Sequence, residues 1–144
     1  MKHARQKIRE AVVTALSGLT PTIYRSRVYP IVTLPVISVY ANSEISESEN
    51  ELIGTPRRYT RRLVLHIEVA AEATTNFDDL ADDYAAQIES EMADDVTISG
   101  AATDSTLIGT NITMDPAGDT PIAKTTLVYE VWYRTTGADA ETPL

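Results

Sequence analysis

Hydrophobic and polar positions alternate most regularly between Ala123 and Thr135, AKTTLVYEVWYRT. Read at period two, Ala123, Thr125, Leu127, Tyr129, Val131 and Tyr133 fall on one face. Lys124, Thr126, Val128, Glu130, Trp132 and Arg134 fall on the other, the pattern of a long half-buried strand. Val, Tyr, Trp and Thr favour that conformation, and neither Gly nor Pro interrupts it. A strand so long and so apolar on one side is expected to be central, or to be an edge used for assembly, because a bare edge recruits other chains. Tyr59 to Ala71 alternates in the same way, with Leu63, Leu65, Ile67 and Val69 on its apolar face, and is the expected neighbour of the C-terminal strand.

A different period governs two other stretches. From Lys2 to about Leu19, Ile8, Ala11, Val12, Ala15, Leu16 and Leu19 make one helical stripe, ended by Gly18 and Thr20-Pro21. From Asp78 to Asp94, Leu80, Tyr84, Ile88 and Met92, supported by Ala81 and Ala85, make a second. Thr74, Thr75 and Asn76 are cap candidates, and Asp78 and Asp79 sit where the helix dipole favours anions. Shorter strands are predicted over Ile23–Tyr29, over Val36–Tyr40 and over Leu107–Met114, with Ile108, Ile112 and Met114 on one side. Val96–Gly100 reads as a short extended piece. Asp115 to Asp119 reads as the turn of a hairpin into the last strand.

The order α, β, β, β, α, β, β implies an α+β fold. We expect a largely antiparallel or mixed sheet of about four to five strands, with two amphipathic helices on one face. Residues 1–136 form one domain in this reading. Within it, Asn42–Pro56 is expected to be a flexible acidic loop, because Glu44, Glu47, Glu49 and Glu51 repel one another among Ser, Asn, Gly and Pro. The polar tail 137–144 is expected to fray.

Composition narrows the class. At 144 residues and 43% hydrophobic, the chain has material for one ordinary core. Cysteine is absent, which excludes disulfides, thiolate metal sites and a cysteine nucleophile. The basic N-terminus lacks the apolar run of a signal peptide, and no stretch approaches the roughly 20 apolar residues of a membrane span. The expectation is a protein in solution that stays where it is made, with no membrane partner. A net charge of -9 argues against nonspecific nucleic-acid binding. The charge is also segregated: Lys2, Arg5, Lys7 and Arg9 open the chain, Arg57, Arg58, Arg61 and Arg62 form a second basic group, and every charge from Glu72 to Asp95 is acidic. Such separation suits head-to-tail contact between copies, and it also fits the solvated faces of a single domain.

Candidate chemistry is sparse. Asp78, Asp79, Asp82 and Asp83, or Asp94 and Asp95, have the ligand type for Mg²⁺ or Ca²⁺ but not the spacing of a calcium loop, and helix-terminal acids need no metal to explain them. His66 shares the polar face of its strand with Arg62 and Glu68. It is a candidate general base for a small hydrolase, or a histidine hydrogen-bonded on a sheet surface. His3 lies near a terminus. No G-x-S-x-G elbow and no Gly-rich phosphate loop occurs. The arginine group, with Tyr59 among it, suits either nucleic acid or, more in keeping with the overall charge, the acidic helix of a neighbouring copy, met by Asp78, Asp79, Asp82, Asp83, Glu89 and Glu91. Trp132 is either ordinary core under a helix or, if its face is uncovered, an interface anchor. No catalytic, cofactor or metal residue is assigned.

The succession MKHARQKIREAVVTALSGL, YRSRVYPIVTLPVISVYANSE, RRLVLHIEVAAEA, DDLADDYAAQIESEM and AKTTLVYEVWYRT resembles the phage tail terminators of the minor-tail-protein-U type, over residues 1–136. The resemblance rests on element order and local sequence flavour, since that family has no catalytic signature. It implies a virion protein that is not an enzyme, assembled in the host cytoplasm. Such a protein forms a ring, typically a hexamer, on the head-proximal end of the tail tube, stops tube growth and offers the surface to which the head joins. Partners implied are further copies of the chain, the tail tube protein and head-completion or neck proteins. The glutamates of 42–56 are the expected tube contact. A neck connector protein is the nearest alternative.

Overall fold

The computed structural model describes residues 1–24, 34–49, 57–72, 77–115 and 122–144, with the side chains of Phe77, Asp78 and Asp115 left aside. In chain order the elements are α1 (Ala4–Ala15), β1 (Thr22–Tyr24), β2 (Val36–Ser48), β3 (Arg58–Glu72), α2 (Phe77–Asp94), β4 (Asp104–Asp115) and β5 (Ile122–Thr136). The strands form one sheet in the order β1-β2-β3-β5-β4. It is antiparallel except for the β1–β2 pair, which is parallel. The expected α+β fold and its element order are therefore present, and β5 is central.

Register explains the core. Leu63 stands opposite Val131, Leu65 opposite Tyr129, Ile67 opposite Leu127 and Val69 opposite Thr125, so the apolar faces of β3 and β5 coincide. Both helices cover this face: Ala4, Ile8 and Val12 of α1 with its C-cap Leu16, and Ala85, Ile88 and Met92 of α2, join the strand residues in one buried cluster. Each fully buried Ile, Leu or Val is worth about 1.5–3 kcal/mol relative to exposure, so the coincidence of faces dominates the stability of the sheet. α1 packs over β2, whereas α2 packs over β3 and β5. The imidazole of His3 caps α1, its Nδ1 accepting the Arg5 N–H at 3.2 Å. Burial first, then the Arg5 charge, lowers the His3 pKa, consistent with a cap that must keep its acceptor nitrogen unprotonated.

Four expectations are corrected. The stretch expected to be a flexible acidic loop over 42–56 is β2 as far as Ser48, paired with β3 through Ser48 opposite Tyr59; residues 50–56, Glu51 among them, lie outside the described residues. Mutual repulsion of the glutamates is overcome by the cations that the sheet brings beside them. Val96–Gly100 is a tight turn and not an extended piece: Ile98 and Ser99 have φ of 51° and 56°, and Gly100 has 80°. An isoleucine rarely adopts positive φ; here its side chain is buried and Asp95 accepts the Thr97 and Ser99 N–H groups at 3.0 and 2.8 Å. The α2 stripe is turned from its expected line, since Ala81, Ala85, Ile88 and Met92 are buried while Leu80 and Tyr84 are only half-buried. The tail expected to fray is instead tied back: the Gly137 N–H donates to the Arg57 carbonyl at 2.7 Å, the Leu144 N–H to the Arg134 carbonyl at 2.8 Å, and the Ala140 carbonyl accepts the Ala4 N–H at 2.8 Å. The strand expected over Ile23–Tyr29 is described only to Tyr24, and the rest of that span, the cap candidates Thr74, Thr75 and Asn76, and the turn after Asp115 lie outside the described residues.

Candidate functional site

The basic and acidic groups singled out in the sequence do not wait for a partner in equal measure. Glu44, on β2, accepts hydrogen bonds from Arg5 of α1 at 3.0 Å, from Arg61 of β3 at 3.3 Å and from the Tyr133 hydroxyl of β5. Burial first, then this bond to Glu44, raises the Tyr133 pKa. Arg61 also donates through Nε to the Thr135 hydroxyl at 2.9 Å. Arg62 reaches Glu47 at 2.7 Å and lies over the Trp132 ring, 5.3 Å from its centroid. Arg134 grips Glu49 with two bonds of 2.5 and 2.8 Å, and the Thr60 hydroxyl adds a third at 2.8 Å. These bonds hold the Glu49 carboxyl at about 2, Arg134 being the largest cause and Thr60 the next. Three glutamates expected to meet a tube thus already stitch β2 to α1, β3 and β5, and two of the arginines expected to meet another copy are their partners. Arg57 and Arg58 lie exposed at the same end of the sheet.

Trp132 is not under a helix. It sits half-buried on the sheet face opposite α1 and α2, beside Arg62, Val64, Val128 and Glu130. On the same face the His66 ring stacks flat on Tyr40, with centroids 5.1 Å apart and planes 9° from parallel, and the Tyr40 hydroxyl donates to Glu68 at 3.3 Å. His66 is thus placed in an aromatic stack. Among the described residues no group of three or more His, Asp or Glu side chains is arranged to hold a metal ion.

The acidic helix has a different character. Asp79, Asp82, Asp83, Glu89, Glu91 and Asp94 are all exposed, and none makes an ion pair with a described residue; Asp78 opens the same helix. Glu89 acts on the sheet beneath it: burial first, and then its charge, pushes the Tyr129 hydroxyl up to about 12.

Beside α2 the sheet ends on β4, the strand expected over Leu107–Met114 as one arm of a hairpin. Ser105 to Met114 contains no charged residue. Leu107, Ile108, Ile112 and Met114 are 39%, 52%, 64% and 48% exposed, and the pairing slips at Ile108, between Leu107 and Gly109. Long uncharged apolar edges are what isolated domains avoid. The signal was in the sequence as ten consecutive residues without Lys, Arg, Asp, Glu or Pro. What the sequence did not show is that this strand, and not Ala123–Thr135, is the edge.

No protein-family model and no curated protein sequence matches the chain. Among solved structures, a chain from the virion of a native gene transfer agent particle is similar at a TM-score of 0.36 and 10% sequence identity, over 90% of this chain and 92% of that one. A likeness at that level carries no argument about what this chain does.

Proposed function

We propose that this chain is a structural protein of a phage virion whose copies join into a ring at the head-proximal end of the tail tube, stop its growth and offer the surface to which the head attaches. The observation that carries the reading is the β4 edge: a strand uncharged from Ser105 to Met114, with Leu107, Ile108, Ile112 and Met114 exposed, is suited to lasting coverage by another chain. Two further features support it. The acidic outer face of α2 adjoins that edge, and the sheet face bearing Trp132 is turned away from both helices. The resemblance of the element order to that of tail terminators supports this class of assembly, and a ring subunit needs two unlike surfaces to close on itself.

Negative-stain electron microscopy of the purified protein, alone and added to growing tubes, tests the proposal. Rings in solution or on tube ends are expected, and overlong tails are expected from phage lacking the protein. Ile112→Lys, which places a cation on the exposed edge, should abolish rings while leaving the circular dichroism spectrum of the fold intact. Tails of normal length that lack heads would move the protein to the neck connector class instead. Protein that neither forms rings nor decorates tube ends would overturn the assembly reading.

A further inference from the structure

Between α2 and the β4 edge runs a groove of about 350 Å³, lined by Ala81, Asp82, Ile112, Thr113, Met114 and Thr125. Ile112 pairs with Thr125 and Met114 with Ala123, both buried on the helix side of β5, so these two exposed apolar side chains face the groove. At its floor, Thr125 is 1% exposed and its hydroxyl has no hydrogen-bond partner among the described residues. A buried hydroxyl without a partner carries a desolvation cost that an incoming polar group removes. The rim is acidic, with Asp82 in the lining and Asp79 and Asp83 exposed nearby on the same helix. The occupant must therefore combine an apolar stem, hydrogen-bond donors and positive charge, which together describe a long cationic side chain, lysine or arginine.

At the opposite end of the sheet the chain carries such a group. α1 packs over β2, and Arg9, half-buried on α1, makes no ion pair with a described residue. It lines, with Arg5, Ala41, Asn42, Ser43, Glu44 and Leu63, a cleft of about 360 Å³ beside the place where the β2–β3 pairing slips. Three strand spacings, about 14 Å, separate β2 from β4, so one molecule cannot join its own two ends. A second copy can.

We infer that the α1 flank of one copy docks against the α2–β4 groove of the next, with Arg9 lying along Ile112 and Met114 and its guanidinium meeting Asp82 and the Thr125 hydroxyl. The inference rests on the ring reading and gives it a specific heterologous joint, in which unlike surfaces repeat from copy to copy. Charge complementarity selects the partner: the chain has a net charge of -9, and of its described arginines, Arg5, Arg61, Arg62 and Arg134 are bound to its own glutamates, whereas Arg9 on the α1 flank makes no ion pair with a described residue.

Sedimentation velocity of the full chain tests the joint with Arg9→Glu, Arg9→Gln, Asp82→Arg and the double variant Arg9→Glu/Asp82→Arg. Each single change should weaken self-association at least about tenfold, corresponding to 1.4 kcal/mol, Arg9→Gln less than Arg9→Glu, and the double variant should recover most of it. Wild-type assembly that is unchanged by either reversal, or two losses that the double variant does not repair, would overturn the joint and leave the ring intact. Variants that self-associate normally but no longer cap tubes would place a tube component, not a second copy, in the groove. Wild-type protein that assembles neither in solution nor on tube ends would overturn the joint and the ring together.

Discussion

Glu44 collects hydrogen bonds from Arg5, Arg61 and Tyr133, and so joins α1, β2, β3 and β5 at one carboxylate that is 11% exposed. Isolated surface ion pairs contribute little, but removing this acceptor leaves two guanidinium groups and a phenol with unmet donors in partly desolvated surroundings. Glu44→Ala should cost about 2 kcal/mol, read as a lowered urea midpoint, and Glu44→Gln, which keeps one acceptor oxygen, should cost less. An unchanged midpoint would show the cluster to be energetically idle. Glu49 makes a pH-dependent contribution. Its carboxyl is held at about 2 in the fold against an ordinary 4.5, so the bonds to Arg134 and Thr60 stabilise the folded state fully above about 4.5. The contribution is lost as pH falls from there through about 2. Acid titration of the folded state should be less steep over this interval in Glu49→Gln, and identical slopes would contradict the assignment.

At the level of elements, α2 shows how a tertiary contact overrides a reading of periodicity. Leu80, Tyr84, Ile88 and Met92 share a stripe, yet Ala81 and Ala85 are the residues pressed on β3 and β5, and the axis is turned so that Leu80 reaches only the margin. Small residues allow the helix to approach the sheet, while Ile88 and Met92 fill the space further along. Ile88→Ala should therefore cost about 3 kcal/mol, as expected for a fully buried aliphatic, and Leu80→Ala about 1 kcal/mol or less. Thermal or urea unfolding of both variants decides it, and equal losses would show Leu80 to be as much a core residue as Ile88. β2 makes the complementary point. Its second half, Asn42–Ser48, has the composition of a loop, but β3 lies beside it with Arg61 and Arg62, and β5 lies one strand further with Arg134. Paired backbone and neutralised side chains outweigh weak local propensity.

The whole molecule has a direction. α1 lies over β2, next to the β1 edge of the sheet, whereas α2 lies over the central β3 and β5, on the side of the β4 edge; the charges of the first helix are mostly basic and those of the second only acidic. The tail returns to the start of α1 through Ala140 and Glu141, so the chain ends stabilise the α1 flank that the proposed joint uses. In the proposed joint this polarity sets the copies head to tail, and such an array closes when the angle between copies divides a full turn.

The number, type and order of elements were legible in the sequence because they follow from periods of two and 3.6, which each segment carries by itself. The apolar faces of β3 and β5 were legible for the same reason. Three things required the fold. Which strand is the edge depends on where β4 attaches, and no residue of β5 records that it will be covered on both sides. The partners of Arg61, Arg62 and Arg134 depend on registers between strands far apart in the chain, so Glu44, Glu47 and Glu49 read as repelling neighbours along the sequence although each is matched across the sheet. The groove under Asp82 depends on a helix and a strand joined only through packing. Local periodicity is a property of one segment, whereas satisfaction of charge and exposure of an edge belong to pairs of segments, and only the tertiary arrangement brings such pairs together.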